Sequence, residues 1–64
     1  RLRILHGRRE VTAARLTMID SWSLTGLDRY SKELVRHSRE VVADELAWLD
    51  SMVAAEESAI QRGE

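Results

Sequence analysis

Cysteine and proline are absent from the 64 residues, and glycine occurs only at positions 7, 26 and 63. Without cysteine there are no disulfide staples, no thiolate zinc sites and no cysteine nucleophile, and the redox compartment is left open. Metal could bind only through histidine and carboxylates. No uninterrupted apolar run approaches the ~20 residues that a membrane-spanning helix needs, and the N-terminus has no signal-type apolar core. The expectation is a soluble, cytoplasmic chain without a membrane partner. It opens on Arg1 rather than methionine, which leaves room for a segment upstream. At this length the chain is one small domain, 1–64, able to bury only about 60% of its unfolded surface. Its 44% apolar and 33% charged residues place it with folded rather than disordered sequences.

With no proline, the three glycines punctuate a sequence otherwise rich in helix-tolerant residues, and the expected fold class is all-α. Residues 1–7 form a basic head whose alternation of Arg1, Arg3 and Leu5 with Leu2, Ile4 and His6 suits either a brief strand or a frayed extension. A first amphipathic helix is expected over 8–22, with Val11, Ala14, Met18 and Trp22 as its apolar stripe, widened by Leu16 and Ile19. Ser21, Ser23, Thr25 and Gly26 interrupt it. Thr25 followed by Asp28 has the form of a capping box, so a second helix is expected over 26–62. Ser38 is the best candidate for a break within it, because serine can cap a helix starting at Arg39. The unbroken form is favoured.

The two helices differ greatly in length, at ~22 Å against ~54 Å for 1.5 Å per residue. A hairpin folded at Gly26 would cover Leu27 to about Val42 and leave Leu46, Trp48, Leu49, Met52, Val53 and Ile60 in water. Burying one such side chain is worth roughly 1.5 to 3 kcal/mol, so oligomerisation or a partner chain is expected to complete the hairpin. The expected partner-binding residues are Leu34, Val41, Val42, Glu45, Leu46, Trp48, Leu49, Met52, Val53, Glu56 and Ile60. Glu45 and Glu56 stand near the middle of the apolar arc, where a charge needs a partner; Arg15 on the first helix, or an arginine from another chain, would serve. Trp22, Trp48 and Tyr30 are expected in core or interface positions rather than stacked on bases.

Charge is segregated. Residues 1–15 sum to +4, 16–39 to +1 and 40–64 to -6. A basic head can meet an acidic tail or a nucleic acid, whereas isolated surface charges need no partner at all. Glu33, His37, Glu40 and Asp44 share one side of the long helix at spacings of four, three and four, the geometry of a ligand row, but a bundle metal site needs matching ligands from a second helix, where only Glu10 and Asp20 are available. A solvated face is the expectation, and neither metal nor cofactor is assigned. No serine lies in a triad setting and there is no glycine-rich phosphate loop, so an enzyme is not expected.

Gly26 and Leu27, followed by Ser31, Lys32, Glu33, Leu34, Val35 and Arg36, resemble the turn and second-helix start of ribbon-helix-helix repressors, where a serine precedes an acid and paired aliphatics. The resemblance covers residues 26–36. It implies a small DNA-binding regulator or antitoxin in which Arg1, Arg3 and Leu5 lie on a paired strand, with Arg8 and Arg9 beside them on the nucleic acid, while the acidic tail wraps a protein partner. His6, Gly7 and Arg8 stand where that family commonly carries a proline-containing turn. Beside this alternative, the principal expectation is a helical module that binds another copy of itself or a larger protein.

Overall fold

The computed structural model describes residues 1–63, and two α-helices account for most of them: α1, Leu2–Asp20, and α2, Arg29–Gln61. There is no strand among the described residues. The helices pack as an antiparallel hairpin measuring 54 × 14 × 11 Å. The basic head is therefore the first turns of α1, with Leu5 N–H donating to the Arg1 carbonyl at 3.1 Å, and not a strand. Six residues of alternating character also satisfy a helical period once the apolar positions downstream continue it.

That continuation is Leu2, Leu5, Arg9, Thr12, Leu16 and Ile19, spaced three and four apart, all of them buried or half-buried. The face expected to point inward, Val11, Ala14 and Met18, instead faces solvent, and Trp22 lies beyond the helix end. Ser21 closes α1, its hydroxyl donating to the Met18 carbonyl at 2.6 Å. The connection 21–28 contains a four-residue turn in which Leu27 N–H donates to the Leu24 carbonyl at 3.2 Å; Gly26 takes its third position with φ +83°. Glycine is suited to that place because an L side chain is strained there.

Helix α2 begins later than Thr25 and Asp28 suggest as a capping box. Asp28 is itself the cap, with ψ 174°, and its carboxylate accepts the Ser31 N–H at 2.7 Å. That hydrogen bond holds the Asp28 carboxyl below the usual carboxylate range. From there the helix runs through Ser38 without a break. Its inner line, Val42, Leu49, Met52 and Val53, meets α1; Val42 and Val53 are buried and Leu49 is wholly inaccessible.

The overlap of the two helices is opposite to the one expected. Because eight residues, not a tight turn, connect the helices, Asp20 at the end of α1 lies beside Arg39 at 2.5 Å. Helix α1 thus covers roughly the C-terminal two-thirds of α2, and Leu49 and Val53, expected in water, form the core. Residues 29–38 project past α1, flanked only by the connection, whose Trp22 and Leu24 help line a cavity of about 300 Å³ with Ile19, Val35 and Arg39. No helix among the described residues is long and apolar enough to cross a membrane.

Candidate interaction surface

Helix α1 is apolar on two faces. Ile4, Val11 and Met18 are spaced by seven, two helical turns, on the side away from the buried line, and they remain 68%, 60% and 53% exposed. Helix α2 carries a matching outer line, Leu34, Val41 and Trp48, also spaced by seven and 51%, 52% and 56% exposed.

Both lines lie on the same side of the hairpin. An open groove of about 360 Å³ runs between the helices, lined by Ile4, Gly7, Arg8, Val11, Thr12 and Arg15 of α1 and by Glu45 of α2. Val41 precedes Glu45 by four residues and Trp48 follows it by three, so both are its surface neighbours on the helix. The groove has an apolar rim on each side and a charged floor. Asp50 is five residues beyond Glu45, ~140° around the helix, and so belongs to the opposite flank. There it pairs with Arg9, and Arg39 pairs with Asp20 on the same line. One flank of the hairpin is closed by hydrogen-bonded ion pairs, the other is open and greasy.

The two charges in the inner arc of α2 find partners within the chain, though not Arg15. Arg8 Nη2 lies 3.5 Å from Glu45 Oε1, and Arg1 Nη1 lies 3.7 Å from Glu56 Oε1. The reason is the shifted overlap, which brings the start of α1 opposite the acidic end of α2. Arg15 lines the groove and has no ion-pair partner among the described residues, and the same holds for Asp44 on the outer edge of α2. Of the four arginines that a nucleic-acid partner would use, Arg1, Arg8 and Arg9 face carboxylates of α2, and Arg3 is exposed.

The residues expected to bind a partner divide into three groups. Val42, Leu49 and Val53 are buried in the hairpin's own seam; Glu45, Leu46, Met52 and Glu56 are half-buried at its edges; Leu34, Val41, Trp48 and Ile60 are exposed. Ile4, Val11 and Met18 of α1 join that last group, and the seven-residue spacing was the signal for them. In the row Glu33, His37, Glu40 and Asp44, Arg36 bridges Glu33 at 2.6 Å and Glu40 at 2.8 Å. Its hydrogen bond and charge hold the Glu33 carboxyl below the ordinary range, and Glu33 in turn raises Arg36. Among the described residues no cluster of histidine and carboxylates is placed to hold a metal.

Comparison with protein-family models, curated proteins and solved structures finds no match.

Proposed function

We propose that this chain is a non-enzymatic helical interaction module whose open groove face is completed by another helical surface. The observation that carries the proposal is α1 itself. A helix apolar on opposite faces belongs between two neighbours, and α2 supplies only one. Five large side chains more than half exposed, Ile4, Val11, Met18, Val41 and Trp48, stand along one open side of the paired helices, where a monomer normally scatters such residues singly. Covering what remains exposed on them is worth on the order of 5 to 9 kcal/mol per chain, comparable to the whole stability of a domain this small.

The experiment is gel filtration coupled to light scattering, with far-UV circular dichroism of the same samples, on the wild type and Trp48→Glu. The wild type is expected above 7.4 kDa at micromolar concentration, or poorly helical as a monomer. Either result shows that the hairpin requires cover. A 7.4 kDa particle that is fully helical, melts cooperatively and matches Trp48→Glu in stability refutes the proposal.

A further inference from the structure

We infer that the surface completing the groove is a second copy of this chain, related by a twofold axis parallel to the helices, so that each α1 lies against α2 of the other copy in a four-helix bundle. The inference rests on the interaction-module reading and names its partner.

The first argument is charge. Residues 1–19 carry five arginines against Glu10, a net +4, while residues 40–57 carry six acids and no base, a net -6. Two hairpins stacked groove to groove have two choices. A twofold axis across the helices would lay α1 on α1, setting +4 against +4. An axis along them lays α1, whose Arg3 and Arg15 have no ion-pair partner among the described residues, on the acidic stretch of the other copy, where Asp44 and Glu57 have none. Complementary fields of this kind select one docking arrangement over another.

The second argument is level. In an antiparallel hairpin, residues at one height have numbers with a constant sum, and the Asp20–Arg39 and Arg9–Asp50 pairs both sum to 59. The longer contacts, Arg1–Glu56 and Arg8–Glu45, sum to 57 and 53, which fixes the height to within about two turns. A twofold axis along the helices adds no translation, so the same rule governs pairs across the two copies. Met18 with Val41, Val11 with Trp48 and Ile4 with Ala55 each sum to 59, as do Arg15 and Asp44, a cation and an acid with no ion-pair partner among the described residues. The apolar positions meet apolar positions, and the spare charges meet each other.

The third argument is area. At ~150 to 250 Å² for a large side chain, the exposed parts of Ile4, Val11, Met18, Val41 and Trp48 present on the order of 500 Å² per copy, and the stems of the flanking arginines add to it; specific interfaces bury ~800 Å² per partner.

The test is a charge exchange. Arg15→Asp and Asp44→Arg change exposed positions with no ion-pair partner among the described residues, so both variants are expected to fold. Each alone sets like charges together twice in its homodimer and is expected to dissociate at least ~10-fold more readily than wild type. Mixed, the two form a heterodimer in which one pair is native and the other exchanged, and affinity is expected to return to within ~3-fold of wild type. Sedimentation equilibrium of each variant and of the mixture reads this directly. A wild type that associates, with a mixture no tighter than its components, overturns this arrangement while self-association stands; Arg15→Asp tightening the dimer points instead to the axis across the helices. A wild type that is monomeric and poorly helical overturns the second copy and leaves a different chain as the cover.

Discussion

Leu49 and Trp48 are adjacent in sequence and opposite in circumstance, the first wholly inaccessible and the second 56% exposed. Truncating a buried leucine to alanine removes its transfer energy and leaves a cavity that neighbours fill only in part, at a cost of about 2 to 5 kcal/mol. A chain of this length has a total stability of about 3 to 10 kcal/mol. Leu49→Ala is therefore expected to consume about a fifth of it or more and to lower Tm by at least ~8 °C, at roughly 4 to 8 °C per kcal/mol. Thermal and urea melts followed by far-UV circular dichroism give the measurement, repeated across a concentration series. The Leu49→Ala loss is expected at every concentration, because it strikes contacts within the hairpin. Trp48→Ala is expected to matter only where the wild type is associated. A Leu49→Ala variant within ~0.5 kcal/mol of wild type, the range of an ordinary surface change, refutes the packing described here.

Two glycines respond oppositely to alanine. Gly7 lies inside α1 with nothing near the position of an added Cβ, so Gly7→Ala is expected to stabilise the isolated hairpin by ~0.5 to 1 kcal/mol, whereas Gly26→Ala, at φ +83°, is expected to cost ~1 to 2 kcal/mol; equal effects in urea melts contradict the turn. The Asp28 and Glu33 carboxyls sit below their ordinary values in the folded chain, so their contribution is complete above about pH 4 and fades as pH falls through the lower folded values. Combining Asp28→Asn with Glu33→Gln is expected to make the acid decline in helicity shallower, and an unchanged decline removes the role assigned to these hydrogen bonds. Because Arg1, Arg8 and Arg9 face carboxylates, duplex DNA is expected to bind negligibly even at low salt. Tight binding that falls steeply in a salt series would reverse that assignment.

The long unbroken α2 was legible because its apolar arc is wide and proline is missing; at Ser38 the neighbouring residues are strong enough helix formers to carry the chain past a good cap. Helix α1 was harder. Its two apolar lines, one through Leu16 and Ile19 and the other through Val11 and Met18, are equally periodic, and periodicity reports the angle between residues without saying which line faces inward. The overlap could not be read at all without the length of the connection, and eight residues in place of a tight turn moved α1 from the first half of α2 to the second. For the same reason Glu45 and Glu56 were recognisable as charges in an apolar arc, while their partners, Arg8 and Arg1, were not. Of the groove, Leu34, Val41 and Trp48 stood out from the sequence as contact residues; Ile4 did not, because it lay in a head that also reads as a strand.

The projection of residues 29–38 past the end of α1 divides α2 into two regimes. Amides from Arg39 to about Glu57 lie along the helix-on-helix seam and are expected to exchange when it separates, whereas those before Arg39 are expected to be released by peeling back a short connection. Deuterium uptake along one continuous helix should accordingly step at that residue, and a protease given folded protein should find its earliest cut on the projecting side. A rod that is uniform in backbone geometry is in this way expected to be graded in persistence along its length.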